Sequence, residues 1–276
     1  MNDVVYVNGK LVASDDATIA VADHGLTVGD GLFETMKVVD GAAFALTRHL
    51  RRLERTAAGL GLRELPSADE LRQAVASTIE ANGDDVGRVR LTVTGGVGPA
   101  GTTRGAAGPT VVVMCSRPAD WPPTAAVVTV PWPRNERGAL AGLKTTSYAE
   151  NVIALERAHA AGADEAIFAN TIGELCEGTG TNVFVVVDDR LVTPPLASGC
   201  LAGVTRELLL GAVDVTEAAL PITALVDAEE AFLTSSTRDV QPIATVDGRS
   251  LGRAPGPRTA AAMHAFATLA ASSLDP

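Results

Sequence analysis

A two-domain chain that mixes helices with strands is what this sequence predicts, and three observations predict it. Its 276 residues are 46% hydrophobic and 20% charged, with a mean hydropathy of +0.20. That is the composition of a folded globular protein, not of a disordered, collagen-like or coiled-coil one. Short β-like runs alternate with helical ones along the first part of the chain. Residues 116–123, Ser-Arg-Pro-Ala-Asp-Trp-Pro-Pro, hold three prolines, a density that disfavours helix and central strand alike. The expected organisation is an N-terminal domain over 1–115, a linker over 116–123 and a C-terminal domain over 124–276. At roughly 150 residues per domain the length suits one large or two modest domains that need no disulfide staples.

In chain order, residues 4–7 run into Asn8-Gly9, a strong hairpin turn, with Leu11-Val12 continuing beyond it. Residues 32–39 cross Asp40-Gly41 into 42–46, again as a hairpin. Thr47 precedes a helix to about Leu60, with Leu50, Leu53 and Leu60 at helical spacing and Gly61 as its stop. Ser67 begins a second helix, to about Asn82. Residues 88–94 alternate polar and apolar as a half-buried strand does, a loop follows to Pro109, and 110–114 is a continuous apolar strand. Beyond the prolines, 125–130 is a Val-rich strand and 134–142 is irregular. The pattern over 148–161 is helical, and 166–169, 183–187 and 191–193 are strands. Residues 201–210 form a tight turn opening a helix. Residues 231–251 are β-like around an Asp247-Gly248 hairpin, and 257–273 close the chain as an Ala-rich helix.

Charge excludes several functions. A net charge of −11 argues against nucleic acid, whose binding rests on Lys and Arg neutralising phosphates. No apolar run reaches the roughly 20 residues needed to span a bilayer, so no membrane role is expected. The first 25 residues lack a basic start with a long apolar core, and a cytoplasmic location is expected from this. Cys115, Cys176 and Cys200 are odd in number and share no metal-like spacing. They are expected to be structural thiols, and no metal site is expected. Only Lys10, Lys37 and Lys144 of the 22 basic residues are lysine, which draws attention to each.

Several segments could carry chemistry. Lys144, in Gly-Leu-Lys-Thr-Thr-Ser-Tyr, lies between an irregular stretch and a helix. It is either an exposed loop lysine or, if withdrawn from water, an amine with a lowered pKa that attacks carbonyls. Glu177 opens Glu-Gly-Thr-Gly-Thr-Asn ahead of an apolar strand, as a turn residue or as the partner of a buried cation. Gly203-Val204-Thr205 before a helix offers free amides, a positive dipole end and a hydroxyl, the makings of an anion cradle. Ser235-Ser236-Thr237 adds hydroxyls in what could equally be a plain loop. Arg52 reads by default as a solvated helix arginine, and His49 as a hydrogen-bonded structural residue.

Together these segments resemble a known pattern. Glu177-Gly-Thr-Gly-Thr-Asn182-Val-Phe, then Leu191-Val-Thr193, then Leu201-Ala-Gly203-Val204-Thr-Arg206 are similar to the signature of class IV aminotransferases. These are the fold type IV enzymes that use pyridoxal 5′-phosphate. They include branched-chain aminotransferases, D-amino acid transaminases, (R)-selective amine transaminases and aminodeoxychorismate lyase. His-Leu-Arg-Arg-Leu over 49–53 resembles the family's early helix, and Gly29-Asp30-Gly31-Leu-Phe33-Glu34 its first cofactor-side strand. Gly-Leu-Lys144 resembles its Schiff-base lysine.

The resemblance implies a two-domain α+β fold with the cofactor between domains, and a homodimer whose partner completes the substrate pocket. It implies that Lys144 is catalytic and carries the pyridoxal 5′-phosphate, and that Glu177 faces the pyridine nitrogen. Leu201 packs on the ring, and Arg52, Val204, Thr205 and Ser236 grip the phosphate. Substrate contacts are expected from Phe33, Arg90, Arg104 and Thr237. Tyr148 either approaches the cofactor edge or packs at the helix start. The expected reaction moves an amino group between an amino acid, with D-amino acids favoured, and a 2-keto acid. The alternative is a lyase that releases pyruvate and 4-aminobenzoate from aminodeoxychorismate. Val93-Thr94-Gly95-Gly96 has glycine where D-amino acid transaminases usually carry a carboxylate-binding arginine, so Arg90 and Arg104 either bind a carboxylate by another route or are solvated. Lys-Thr-Thr-Ser-Tyr lacks the Gly-Gly-Asn-Tyr typical of branched-chain enzymes.

Overall fold

Asn8 and Gly9 both take positive φ, 47° and 90°, which matches the twist of a two-residue hairpin. Strand β1 (Val4–Val7) therefore folds straight back as β2 (Lys10–Ala13). The computed structural model describes residues 3–276 and contains two units. The first comprises residues 3–120 with Leu143–Ser147 and Asp275; the second comprises Trp121–Gly142, Tyr148–Leu274 and Pro276.

In the first unit a short helix, α1 (His24–Thr27), precedes β3 (Gly31–Val39) and β4 (Ala42–Ala43). Helices α2 (Leu46–Leu60) and α3 (Ala68–Asn82) follow, then β5 (Arg88–Thr94) and β6 (Thr110–Ser116). The six strands form one antiparallel sheet in the order β2-β1-β6-β5-β3-β4. Leu32 and Met36 of β3, with Val89, Leu91 and Val93 of β5, pack against Leu50, Leu53 and Ala57 of α2 and Leu71, Val75 and Ile79 of α3. Burying one such Leu or Ile stabilises the fold by about 1.5–3 kcal/mol. Ser67 caps α3 through a reciprocal pairing with Glu70. Helix α2 begins at Leu46, before the expected Thr47, because Ala45 turns into the left-handed region (φ 54°) and ends β4 at Ala43.

The second unit carries a nine-stranded mixed sheet. Its strands are β7 (Ala125–Thr129), β8 (Glu165–Ala169), β9 (Leu175–Gly178), β10 (Asn182–Val187), β11 (Arg190–Thr193), β12 (Thr216–Glu217), β13 (Glu230–Ser235), β14 (Asp239–Val246) and β15 (Arg249–Ser250). They are ordered β12-β11-β10-β13-β14-β7-β8-β9, with β15 on β14. Pairings β14-β7, β7-β8 and β11-β12 are parallel and the rest antiparallel. Helices α4 (Ala149–Ala160), α5 (Val204–Ala212) and α6 (Pro257–Ser272) complete the unit. Strands β8, β10 and β13 are buried on both sides, so β10 is a run of valines around Phe184, which stacks on Phe232 of β13 with ring centroids 4.8 Å apart. Two features depart from the sequence expectation. Glu177 lies within a strand, β9, and residues 143–147 pack with the first unit although they fall in the C-terminal stretch. Among the described residues no helix is long and apolar enough to cross a membrane.

Candidate active site

Within the first unit the site residues converge on β3. Residues 143–147 add to its edge. Leu32 bridges Thr145, the Phe33 N–H donates to the Lys144 carbonyl at 3.1 Å, and the Thr146 N–H donates to the Gly31 carbonyl at 2.8 Å. The hydroxyls of Thr146 and Ser147 both donate to the Gly29 carbonyl, at 2.9 and 3.0 Å. Lys144 is thus half-buried in a strand-like segment, not on a free loop. Its Nζ lies 4.3 Å from the centroid of the Phe33 ring, and the Arg90 guanidinium carbon lies 3.7 Å from the same centroid. One aromatic ring therefore holds both an amine and a guanidinium. Arg90 Nε also donates to the Thr92 hydroxyl at 3.2 Å.

Glu34, on the face of β3 that carries Leu32 and Met36, is fully buried. Arg52 grips it bidentately, Nε to Oε1 at 2.8 Å and Nη2 to Oε2 at 2.6 Å, while His49 Nδ1 lies 2.6 Å from Oε2. Burial pushes the Glu34 carboxyl upward, but the Arg52 charge, the hydrogen bonds of Arg52 and His49, and the His49 charge outweigh it and hold the pKa at about 2. Burial is the main reason that His49 sits below its ordinary value; Glu34 opposes the shift, and the charges of Arg52 and Lys144 add to it. His49 is the hydrogen-bonded residue expected. Arg52 is buried rather than solvated, and its fork is engaged by Glu34. His49, Arg52 and Thr56 form a polar stripe at helical spacing on the buried face of α2, and the Thr56 hydroxyl accepts the Lys144 N–H at 3.4 Å.

Arg104 does not have the freedom expected of a substrate clamp. It pairs bidentately with Asp30 at 2.7 and 2.6 Å and donates to the carbonyls of Leu60 and Gly61 at 2.9 and 2.8 Å. Two N–H bonds tie the long loop to the end of α2 and two tie it to Asp30, and the Asp30 pairing also raises the arginine's pKa.

In the second unit Glu177 and Asn182 sit on the neighbouring ends of β9 and β10, either side of the 178–181 turn, and both reach the Leu201 backbone. Glu177 Oε2 accepts the Leu201 N–H at 2.8 Å, and Asn182 Nδ2 donates to the Leu201 carbonyl at 2.8 Å. The second carboxylate oxygen, Oε1, lies 3.2 Å from Arg134 Nε. The spacing of Glu-x-x-x-x-Asn is thus the spacing that grips one peptide unit from two strands. Leu201 leads to Gly203, where a Cβ would come within 2.0 Å of Asn182 Oδ1, and then to buried Val204 and Thr205 at the head of α5. No side chain caps α5, so its first-turn amides are left without a side-chain acceptor at the N-cap. Ser236 and Thr237 lie in the turn between β13 and β14. Thr234, directly across the ladder from Asn182, has a buried hydroxyl without a hydrogen-bond partner.

Sequence reasoning missed Glu34 as the partner of Arg52, Thr56 as a contact of Lys144, and Arg134 as the cation beside Glu177. The polar stripe on an otherwise apolar helix face was the one local signal for the first two. Arg134 had none, since it comes from an irregular segment. All three cysteines are buried and free.

Comparison with known proteins agrees with this geometry. Residues 31–246 match the family described as Amino-transferase class IV. The chain is 33% identical over 256 residues to a protein of Methanocaldococcus jannaschii provisionally named a branched-chain-amino-acid aminotransferase, a match covering 89% of this chain and 88% of that one. It is 30% identical to the D-alanine aminotransferase of Bacillus licheniformis, over 92% of this chain and 93% of that one. Its fold is similar to the crystal structure of the Escherichia coli branched-chain amino acid aminotransferase, with a TM-score of 0.91 and 26% identity over 98% of this chain and 95% of that one. The chain belongs to the class IV aminotransferases and is a fold type IV enzyme of mixed helix and strand.

Proposed function

We propose that this enzyme uses pyridoxal 5′-phosphate to move an amino group between an amino acid and a 2-keto acid, with D-amino acids as donors. The observation that carries the reading is the Phe33 ring, against which lie both the Lys144 amine and the Arg90 guanidinium. One side chain suits covalent chemistry at a carbonyl, and the other suits a carboxylate at a fixed distance from it. The residues fit the cofactor. In the second unit the uncapped head of α5 with Val204, Thr205 and Ser236 suits a phosphate, Glu177 a protonated ring nitrogen and Leu201 the ring face. In the first unit Lys144 suits the aldehyde, and Arg52, whose Nε and Nη2 are held by Glu34, is assigned to the phosphate by the resemblance alone.

When bound, the cofactor supplies an electron sink for the bonds at the substrate's α-carbon. The chain's residues do the rest. Lys144 would hold the aldehyde, and its amine would move the proton at the substrate's α-carbon. Glu177 would face the ring nitrogen, its carboxylate kept in place by Arg134 and the Leu201 N–H. In the first unit Arg90 and Phe33 would orient the substrate carboxylate, and in the second Thr237 would offer its hydroxyl to the substrate. Arg104 is left out of this assignment because Asp30 and two carbonyls already hold it. A homodimer that works on small-molecule amino and keto acids in the cytoplasm completes the reading.

Borohydride reduction of the cofactor-loaded protein followed by peptide mapping is the first test. A reduced adduct on Lys144 is expected, and one on Lys10 or Lys37, or none, sinks the assignment. The loaded enzyme is then offered single D- and L-amino acids without a keto acid, and its absorbance is followed. D-alanine is expected to convert the spectrum. Conversion by branched-chain L-amino acids alone overturns the D reading in favour of the M. jannaschii relative's named activity. Release of 4-aminobenzoate from aminodeoxychorismate, with no response to amino acids, overturns the transaminase for the lyase.

A further inference from the structure

The second unit buries an acid that the mechanism does not use. Glu165, the first residue of β8, is 1% exposed and lies under the 178–181 turn. Its Oε1 accepts the Thr179 N–H at 3.0 Å and the Thr179 hydroxyl, and Oε2 accepts the Thr181 hydroxyl at 3.2 Å. A Cβ on Gly178 would meet the Thr181 hydroxyl at 2.1 Å and the Glu165 carboxyl carbon at 3.1 Å, so the turn is wrapped closely on this carboxylate. On its other side Glu165 Oε2 lies 3.8 Å from Arg238 Nη2. The Arg238 side chain is only 5% exposed. It lies over the Trp121 ring at 3.7 Å, donates to Gln241 Oε1 at 2.6 Å, and its backbone N–H donates to the Ser235 hydroxyl at 3.1 Å. Arg238 belongs to the turn of Ser236 and Thr237.

One buried charge pair therefore joins two turns. The first turn carries Glu177 and Asn182 at its ends, and the second carries Ser236. The link from Glu165 back to Glu177 is also continuous on the other side. The Thr179 carbonyl accepts Asn151 Nδ2, Asn151 Oδ1 accepts Arg134 Nη1 at 3.0 Å, and Arg134 Nε faces Glu177. A neutral residue could satisfy Thr179 and Thr181, since they offer ordinary donors. Only a carboxylate also answers the buried guanidinium.

We infer that Glu165 is a positioning residue. Acting through Thr179, Thr181 and Arg238, it sets the spacing between the turn that presents Glu177 to the cofactor ring and the turn that presents Ser236 to its phosphate. This rests on the cofactor assignment above. Its consequence is an effect on cofactor affinity beyond any effect on stability, and a larger one for pyridoxal phosphate than for pyridoxal, which has no phosphate to be gripped.

Cofactor-free wild-type protein, Glu165→Gln and Glu230→Gln are titrated with pyridoxal phosphate and with pyridoxal, and their thermal midpoints are recorded. Glu230 is the control. It is a buried acid of the same unit that accepts the backbone N–H groups of Arg258 and Thr259 at the head of α6. E165Q is expected to bind pyridoxal phosphate about tenfold more weakly, the worth of one hydrogen bond to a charged group, with a smaller loss for pyridoxal. E230Q is expected to lower the thermal midpoint and leave both affinities unchanged. A loss under about threefold in E165Q, below what one such bond is worth, overturns the inference, as does an equal loss in E230Q or an equal loss for the two ligands. If E165Q does not fold, Thr181→Val takes its place. It removes one donor at constant shape, and unchanged affinity in it overturns the inference. A wild-type protein that yields no Lys144 adduct on borohydride reduction overturns the cofactor assignment and this inference together. A normal adduct with unaltered E165Q affinity overturns this inference alone.

Discussion

Glu34 in the first unit and Glu165 in the second are buried to the same degree but are satisfied by different partners. Glu34 is met by side chains, a bidentate guanidinium and an imidazole, all from one helix. Glu165 is met by the Ala166 N–H of its own strand and by one backbone N–H and two hydroxyls of a turn, with its guanidinium held further off at 3.8 Å. The difference teaches what each charge is for. A carboxylate locked to cations of a packed helix fixes helix to sheet, so its removal strands a buried positive charge. A carboxylate wrapped by a turn mostly fixes the shape of that turn, so its removal loosens a loop.

The contrast breaks first at Glu34→Ala. Leaving Arg52 buried without its partner carboxylate should cost about 3–5 kcal/mol of stability, read as a lowered urea midpoint at unchanged slope. Glu165→Gln should cost about 1–2 kcal/mol, the worth of weakened hydrogen bonds rather than of a stranded charge. If the two losses are equal, the distinction between fixing a core and shaping a turn is wrong.

Acid sharpens the same comparison. The Glu34 carboxyl is held at about 2 against an ordinary 4.5, so the folded state binds its proton more weakly than the unfolded chain does. Its contribution is complete above about pH 4.5 and is lost as the pH falls through about 2, a loss of about 3 kcal/mol in total. Buried His49 adds a limb in the same direction. Its pKa is lowered on folding, so stability falls as the pH drops below the ordinary histidine value of 6.5. Melting temperatures of wild type and Glu34→Gln should therefore differ most at neutral pH and converge towards pH 3. A gap that stays constant from pH 7 to 3 would remove Glu34 as the source.

The part of this arrangement that was legible in the sequence is the part set by neighbours in the chain. Asn8-Gly9 gave its hairpin because two adjacent residues take the required φ, and Ser67 gave the start of α3 because its cap partner, Glu70, is three residues on. The segment from Glu177 to Arg206 was legible as a resemblance, yet not as geometry. Nothing local says that Glu177 and Asn182 meet on the Leu201 peptide, nor that Glu177 lies in β9, since a strand of four residues containing an acid carries no alternation to detect. Arg52 shows the limit most plainly. Helical spacing puts it at the edge of the Leu50 and Leu53 face, where solvent is the default, and only Glu34, eighteen positions earlier, decides otherwise. Lys144 is similar: its place beside β3 depends on five residues returning to the first unit, a contact that no composition or periodicity encodes.

Glu230 gives the smallest effect and tests the comparison from its neutral side. Like Glu165 it lies in the second unit and accepts backbone N–H groups, but no cation lies across from it within salt-bridge distance among the described residues. It accepts Arg258 N–H at 3.1 Å and Thr259 N–H at 2.8 Å, the amides that Pro257 and Gly256 leave open at the head of α6. An acid in that position satisfies orphan donors and complements the helix dipole, so Glu230→Gln, which keeps one acceptor and loses the charge, should cost about 1 kcal/mol. Because the Glu230 carboxylate is buried against the helix end, most of that loss should persist in about 1 M salt, where screening between exposed charges shortens to about 3 Å. The fully buried Glu34 pair should keep its contribution in the same salt. If salt erases either contribution, water reaches that carboxylate, and for Glu34 the exposure would have to be sought by hydrogen exchange at the amides of β3.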